Sequence, residues 1–395
     1  MRPFILALGL LASAHVHAQS LADVLERAWQ RTPQAQSQAV REEGLAANRA
    51  LASSLFPEAP AVALAHQTDR FDSNAGAREY EVELAVPLWL PGQKPAAREL
   101  AESESAQFSA EQSVARLELA GQVREAVWQV RLAETATQLA RARLAAYRQI
   151  EDDVARRVKA GELAHADLLL ARGETIAVQT ELSAAEQALL EVRQDYLQLV
   201  GDDRLPADAV ETAPGVQAID THPRLLASAR RVEAARARAQ LTARTGRENP
   251  ELALLARRER GDADERYGNA FGVAIRIPLG TAARNAPRMA VAQAELTEAE
   301  TEHARLREAL EQAQRKAQAE MDSARTRAEL AEARLVLARE NQALAKKAFS
   351  LGEKSLFEFQ RVQSALDESA LAAGQAAIEQ HRAQARLNQA SGVLP

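Results

Sequence analysis

The chain has 395 residues, with 49 Lys and Arg against 55 Asp and Glu, so its net charge of −6 gives a nucleic-acid partner no electrostatic support. It has no cysteine, which excludes disulfides, thiolate metal sites, cysteine nucleophiles and the acylated cysteine of a bacterial lipoprotein. Gly (17), Pro (14) and aromatics (4%) are scarce while hydrophobic content is 47%, a balance that points to long helices rather than disorder or ordinary globules.

Residues 1–18 carry a positive Arg2, an apolar stretch from Phe4 to Ala14 and the small-x-small site Val16-His17-Ala18. This is the pattern of a secretory signal peptide, with the mature chain beginning at Gln19. No later apolar run is long enough for a membrane helix, so a membrane location would require strands.

After Thr32-Pro33 a helix of about 20 residues is expected, because proline suits a first helical position. Pro57 then opens a stretch without helical periodicity, which Pro87 closes. Within it, Tyr80, Val82, Leu84 and Val86 alternate with Glu79, Glu81 and Glu83, a period-two strand at about 79–87. A weaker partner at about 60–68 alternates Val62, Leu64 and His66 with alanines. Residues 96–160 form a long helical stretch crossed only by Gly121. Gly161 breaks it, and a returning helix runs to Gly201. On that helix Leu182, Ala185, Leu189, Val192, Tyr196 and Leu199 have coiled-coil spacing.

The same landmarks then recur. Val86-Pro87-Leu88 returns as Ile277-Pro278-Leu279, Gly161-Glu162 as Gly352-Glu353, and Gly201 as Gly392, each at an offset of 191. Thr32-Pro33 returns as His222-Pro223 and Phe56-Pro57-Glu58 as Asn249-Pro250-Glu251, at offsets of 190 and 193. The mature chain therefore reads as two copies of one unit, 19–201 and 220–395, joined by a linker at 202–219. The second copy has strands at about 251–260 and 269–278. In the latter, Phe271, Val273, Ile275 and Ile277 face away from Gly272, Ala274 and Arg276. From Arg288 to Leu351, 64 residues contain neither Gly nor Pro, enough for about 95 Å of helix. Leu330, Leu337, Leu344 and Leu351 stand seven apart, and the long helices are expected to pair through such positions.

Four strands cannot close a barrel, and an open sheet edge is not tolerated in lipid. If these strands cross a membrane, several chains must share one barrel, its apolar face to lipid and Glu79, Glu81, Glu83 and Arg276 to a wet lumen. The alternative at this point is a small soluble sheet on a helical body.

Taken together, the opening SLADVLERAWQRTPQAQSQAV (20–40), the junctions VPLWLPGQK and IPLGTAAR, and the turns RVKAGELAHADLLLAR (157–172) and KAFSLGEKSLFEFQRVQ (347–363) resemble the outer-membrane efflux protein family, the TolC-like outer-membrane factors. The second turn is most similar to the heavy-metal branch. The resemblance implies a mainly α fold with a small β part. A homotrimer would form a periplasmic α-barrel and a shared 12-stranded transmembrane β-barrel in the outer membrane of a Gram-negative-type cell. It implies a channel that gives substrates an exit duct in a tripartite efflux system, with a periplasmic adaptor and an inner-membrane pump as partners. It also implies a periplasmic tip at Gly161 and Gly352, followed by the carboxylates Asp167 and Glu358. Glu358 matches a residue lining the constricted entrance, and Lys354 a basic residue that ties the closed state. Phe349 and Arg361 depart from the family at two further gate positions.

No nucleophile–base–acid constellation and no phosphate-binding glycine loop stands out, and His66, His165, His222, His303 and His381 lack ligand spacing. The expectation is a non-enzyme without cofactor or metal. The competing reading is an exported coiled-coil structural or adaptor protein.

Overall fold

The computed structural model describes residues 19–212, 218–280 and 282–395. The expected signal peptide and part of the linker lie outside them. Seven α-helices and four strands follow in order: α1 (Leu21–Gln30), α2 (Pro33–Ser53), β1 (Ala61–Thr68), β2 (Arg78–Pro87), α3 (Gln93–Lys159), α4 (His165–Val200), α5 (Pro223–Arg244), β3 (Glu251–Arg260), β4 (Gly268–Arg276), α6 (Ala282–Ser350) and α7 (Leu356–Ala390). None of the described helices is long and apolar enough to cross a membrane.

Local chemistry explains the boundaries. Ser20 caps α1 through a reciprocal box with Asp23, and the helix ends before Thr32, ahead of the helix expected after Thr32-Pro33. Pro33 and Pro223 stand at first helical positions, where the missing N–H costs nothing, and the His222 ring accepts from Arg224 N. α6 begins ahead of Pro287 and carries it inside, so the helix is longer than its proline-free stretch. Gly121 does not interrupt α3. A Cβ there would lie 3.0 Å from the Gln389 side chain, so glycine admits a close approach by α7.

The residues divide into two compact units, one formed by 19–32, 117–212 and 314–395, the other by 33–116 and 218–313. In the first, α1 and parts of α3, α4, α6 and α7 pack around Val123, Val127, Trp128, Val154, Val178 and Tyr196. The inward stripe of α4 includes Leu182, Leu189 and Tyr196, following the heptad spacing. On α6 the outcome differs. Leu330, Leu337, Leu344 and Leu351 are 65–70% exposed, and the buried positions on this part of the helix include Ala324, Leu335, Ala345 and Phe349. α4 carries a matching outward row, Leu169, Ile176, Leu190 and Leu197, also at multiples of seven and 45–66% exposed.

The described part of the linker, residues 202–212, is tied to this unit. Tyr196 Oη donates to Arg204 O at 2.9 Å, Ala207 N to Gln19 O at 3.1 Å and Arg131 Nη2 to Pro206 O at 3.2 Å. Burial pushes the Tyr196 hydroxyl up to about 12.

The second unit holds the sheet. Its order is β1-β2-β3-β4, all antiparallel, with Leu64 opposite Val82, Leu84 opposite Leu254, and Ala253 opposite Ala274. β4 stops at Arg276, two residues before the expected end, opposite Glu251, where its partner β3 begins.

Candidate functional site

Two regions bear on function: the two faces of the sheet, and the paired helix turns at Gly161 and Gly352.

One sheet face is apolar and open. Leu64, Val82, Leu254, Phe271, Val273 and Ile275 all point there and are 46–86% exposed. The other face concentrates charge on the two central strands. Glu79, Glu81 and Glu83 are largely covered, and the register sets Arg257 opposite Glu81. The Arg257 guanidinium lies 2.9 Å from Glu79, 3.5 Å from Glu81 and 3.7 Å from Glu259. Arg276 pairs with Glu251 at 3.3 Å. The edge strands present small side chains on this face: Ala61, Ala63 and Ala65 on β1, and Ala270, Gly272 and Ala274 on β4. Arg257, Glu251 and Glu259 were not among the sequence-derived candidates. Their signal is parity, since Leu252 and Leu254 count forward to assign Arg257 to the charged face. β1 and β4 each leave one edge unpaired within the chain.

The helix turns are built alike. At the end of α3, Glu162 N donates to Arg157 O and Gly161 N to Val158 O. At the end of α6, Glu353 N donates to Ala348 O and Gly352 N to Phe349 O. Both are Schellman motifs, and Gly161 and Gly352 hold the left-handed conformation they need, at φ +79° and +78°. Two capping residues then restart the chain. Asp167 Oδ2 accepts from Ala164 N at 3.2 Å, and Glu358 Oε2 accepts from Ser355 N at 2.9 Å and from its hydroxyl at 2.8 Å. Asp167 and Glu358 thus hold identical positions in their helices, three residues after the cap. The Ser355 N–H and hydroxyl hold the Glu358 carboxyl below its usual range, with Lys354 and Arg361 adding to the effect, so it stays ionised.

Beneath the turns, Val154, Leu168, Phe349, Leu356 and Phe359 form a buried cluster in which the two Phe rings stack at 5.2 Å. Arg157 spans it. Its guanidinium donates to Phe349 O at 3.2 Å and Ser350 O at 3.1 Å, satisfying the last carbonyls of α6, and lies 5.0 Å from the Phe349 ring centre. A basic residue late in α3 hints at a helix terminus, but nothing in its spacing announces that the terminus is that of α6.

Further along the same unit, Asp367 is half-buried against Arg143 and Tyr147, beside a largely apolar pocket of about 430 Å³. Gln363 Nε2 donates to its Oδ1 at 3.0 Å; Arg143 Nε lies 3.2 Å from Oδ2 but out of line for a hydrogen bond. Burial raises this carboxyl above the usual range.

No family model and no curated protein matches the sequence. Solved structures do match over nearly the whole chain. CusC, crystallised in work on folding and transmembrane channel formation, aligns at TM-score 0.79 and 15% identity, covering 95% of this chain and 92% of its own. The outer membrane protein VceC from Vibrio cholerae aligns at 0.75 and 17% identity, covering 94% and 96%. The CmeC outer membrane channel of Campylobacter jejuni aligns at 0.73 and 14%, covering 94% and 85%. The chain therefore has the fold of these outer-membrane channels, long helices with a four-stranded sheet. The similarities are comparable and do not single out the heavy-metal branch.

Proposed function

We propose that this chain is the outer-membrane channel of a tripartite efflux system, the exit duct from a periplasmic adaptor and inner-membrane pump to the exterior. The carrying observation is the sheet: four strands, two unpaired edges, one open apolar face and one charged face. A sheet in lipid must close on itself. A homotrimer supplies twelve strands, which removes every edge, turns Val82 and Val273 to lipid and gathers Glu79, Glu81, Glu83 and Arg276 in the lumen. The shared fold with outer-membrane channels supports the same reading. The two halves are read as copies of one unit, since α2 and α5 have 21 and 22 residues, α3 and α6 have 67 and 69, and α4 and α7 have 36 and 35. The turns at Gly161 and Gly352 form the periplasmic entrance, with Asp167, Lys354 and Glu358 at its rim. Such a duct works by lining and gating a path and needs no catalytic residue.

Membrane fractionation tests the proposal. The protein should be recovered in the outer membrane as a heat-resistant trimer that conducts ions in planar bilayers. A water-soluble monomer that forms no channel would sink it.

A further inference from the structure

The two sheet faces treat their arginines differently. On the charged face Arg257 is within 4 Å of three carboxylates. On the apolar face three arginines stand together with none. Along β2 and β3 that face runs Val86 and Leu252, Leu84 and Leu254, Val82 and Ala256, then Tyr80 and Arg258, then Arg78 and Arg260. The last two pairs sit at the hairpin end, just past the apolar band. Arg78 and Arg260 are directly opposed, and like charges so placed repel.

An aromatic ring holds Arg258 and Arg260, and Arg260 Nε also donates to Gly76 O at 3.1 Å. The Tyr267 ring lies 4.6 Å from the Arg258 guanidinium and 5.0 Å from that of Arg260. Tyr80 is 6.4 Å from Tyr267 and stacks on His66 at 4.5 Å. The nearby carboxylates are engaged elsewhere. Glu79 and Glu259 turn to the other face and Arg257. Asp69 accepts from Gly76 N and Ser73, Asp262 from Asp264 N and Glu265 N, and Glu265 from Gly261 N. Among the described residues no carboxylate pairs with Arg78, Arg258 or Arg260.

We infer that Arg78, Arg258 and Arg260 bind the phosphate groups of a phosphorylated lipid headgroup in the outer leaflet. An apolar band that ends in tyrosines and uncompensated arginines matches an acyl layer that ends in anionic headgroups. An anion between Arg78 and Arg260 converts their repulsion into two charge-assisted bonds, and guanidinium is suited to phosphate oxygens. The hairpin end is outermost only on the outer-membrane reading proposed above, so the inference rests on that reading.

The test uses detergent-solubilised full-length protein, with bound lipid counted by native mass spectrometry. The probes are bisphosphorylated lipid A, the same lipid with its phosphates removed, and inorganic phosphate. The variants replace Arg78, Arg258 and Arg260 together by Gln or together by Lys. With phosphorylated lipid, the Gln variant should lose on the order of a hundredfold in affinity, about fivefold per arginine. The Lys variant should retain most of the binding, which also shows that the sheet still folds. Phosphate-free lipid should bind wild type and Gln variant alike and weakly. Equal binding of phosphorylated lipid by wild type and Gln variant would overturn the assignment. So would inorganic phosphate binding as tightly as the lipid, since that describes a free-anion site. Fractionation separates this from the proposal above. Wild type absent from the outer membrane defeats the channel reading, whereas wild type present with indifferent arginines defeats only the lipid site.

Discussion

Arg124 grips Glu211 through two parallel bonds, Nε to Oε1 at 2.8 Å and Nη2 to Oε2 at 2.6 Å, pinning the linker between the two halves to the middle of α3. The same guanidinium donates to Gln389 Oε1 at 2.6 Å, and Asn388 Nδ2 donates to Glu211 at 2.9 Å and to Thr212 O at 3.1 Å. Gln389 in turn donates to Leu117 O at 2.7 Å. One fork thus joins α3, the linker and the end of α7. The side chains of Arg124 and Glu211 are only 3% and 11% exposed, so removing either partner strands a charge away from water.

Arg124→Leu should therefore destabilise the protein by about 3–5 kcal/mol. Chemical denaturation of the solubilised protein would measure this. Limited proteolysis should cut first near 202–212, the segment the fork releases. A stability loss under about 1 kcal/mol, with unchanged cleavage, would show that the network is solvated and unimportant.

Charge on the open sheet face should be expensive. Val82→Arg or Val273→Arg should cost roughly 2–4 kcal/mol in each subunit near mid-bilayer. Glu81→Gln should be mild, because Arg257 keeps Glu79 and Glu259 as partners. Folding titrations into lipid vesicles would compare the three variants. Equal tolerance on both faces would mean that the strands do not lie in lipid.

The outward rows on α4 and α6 bear on assembly. Heptad rows left bare in one chain are what a second copy needs to build a further helix pair, and contact between unlike rows gives a ring where the rotation between copies closes. If the chain forms the homotrimer proposed above, Leu337→Asp with Leu344→Asp should dissociate it while leaving the helical content of each chain intact. Native mass spectrometry and far-UV circular dichroism would read the two effects. A persistent trimer would assign those leucines another role.

These rows show how far spacing carries. Period-two alternation in residues 79–86 and 271–277 states which side chains share a face, because strand geometry allows only two faces. Prolines at 33 and 223 mark helix starts for an equally local reason. Seven-residue spacing on α6 states that leucines form a stripe, but not whether the stripe is covered by α7 or left bare. That depends on which helix lies beside it, and the inner seam went to other positions, Ala324, Leu335, Ala345 and Phe349 among them. Parity places Arg257 on the charged face, but what it and Arg157 bind was illegible for a similar reason. Their partners are set by strand register and by the proximity of two helix ends 192 residues apart, neither of which is a local property.

Asp367 gives a pH signature. Burial raises its carboxyl, so the folded state holds a proton there over a range in which the unfolded chain has lost it. The stability this contributes is present below the ordinary Asp value and is lost as pH rises through the raised one. Glu125 and Glu358, both lowered, produce the opposite slope and lose their contributions as pH falls. The comparison of wild type with Asp367→Asn isolates the first effect. Across mildly acidic pH, the Tm of wild type relative to the variant should fall as pH rises. A constant difference would place Asp367 in an environment as wet as the surface.

The entrance proposed at the paired helix turns gives the last prediction. Threefold symmetry would bring three copies of Glu358 near one axis, each held ionised by the Ser355 cap and by Lys354. Three carboxylates at a constriction favour cations and repel anions. Glu358→Gln keeps an oxygen that can accept from Ser355 N, so the cap survives in weakened form and the charge alone is removed. In planar bilayers this variant should show weakened cation selectivity and reduced block by multivalent cations. Lys354→Ala should loosen the closed state and raise conductance. Arg157→Ala removes the two bonds to the last carbonyls of α6, and its conductance should rise as well. Asp167 is the internal comparison: it holds the same helix position but lacks the serine cap, so Asp167→Asn tests whether the first turn shares the rim. If Glu358→Gln leaves selectivity unchanged while neither Lys354→Ala nor Arg157→Ala raises conductance, these side chains only cap and tie helices, and the constriction lies elsewhere in the duct.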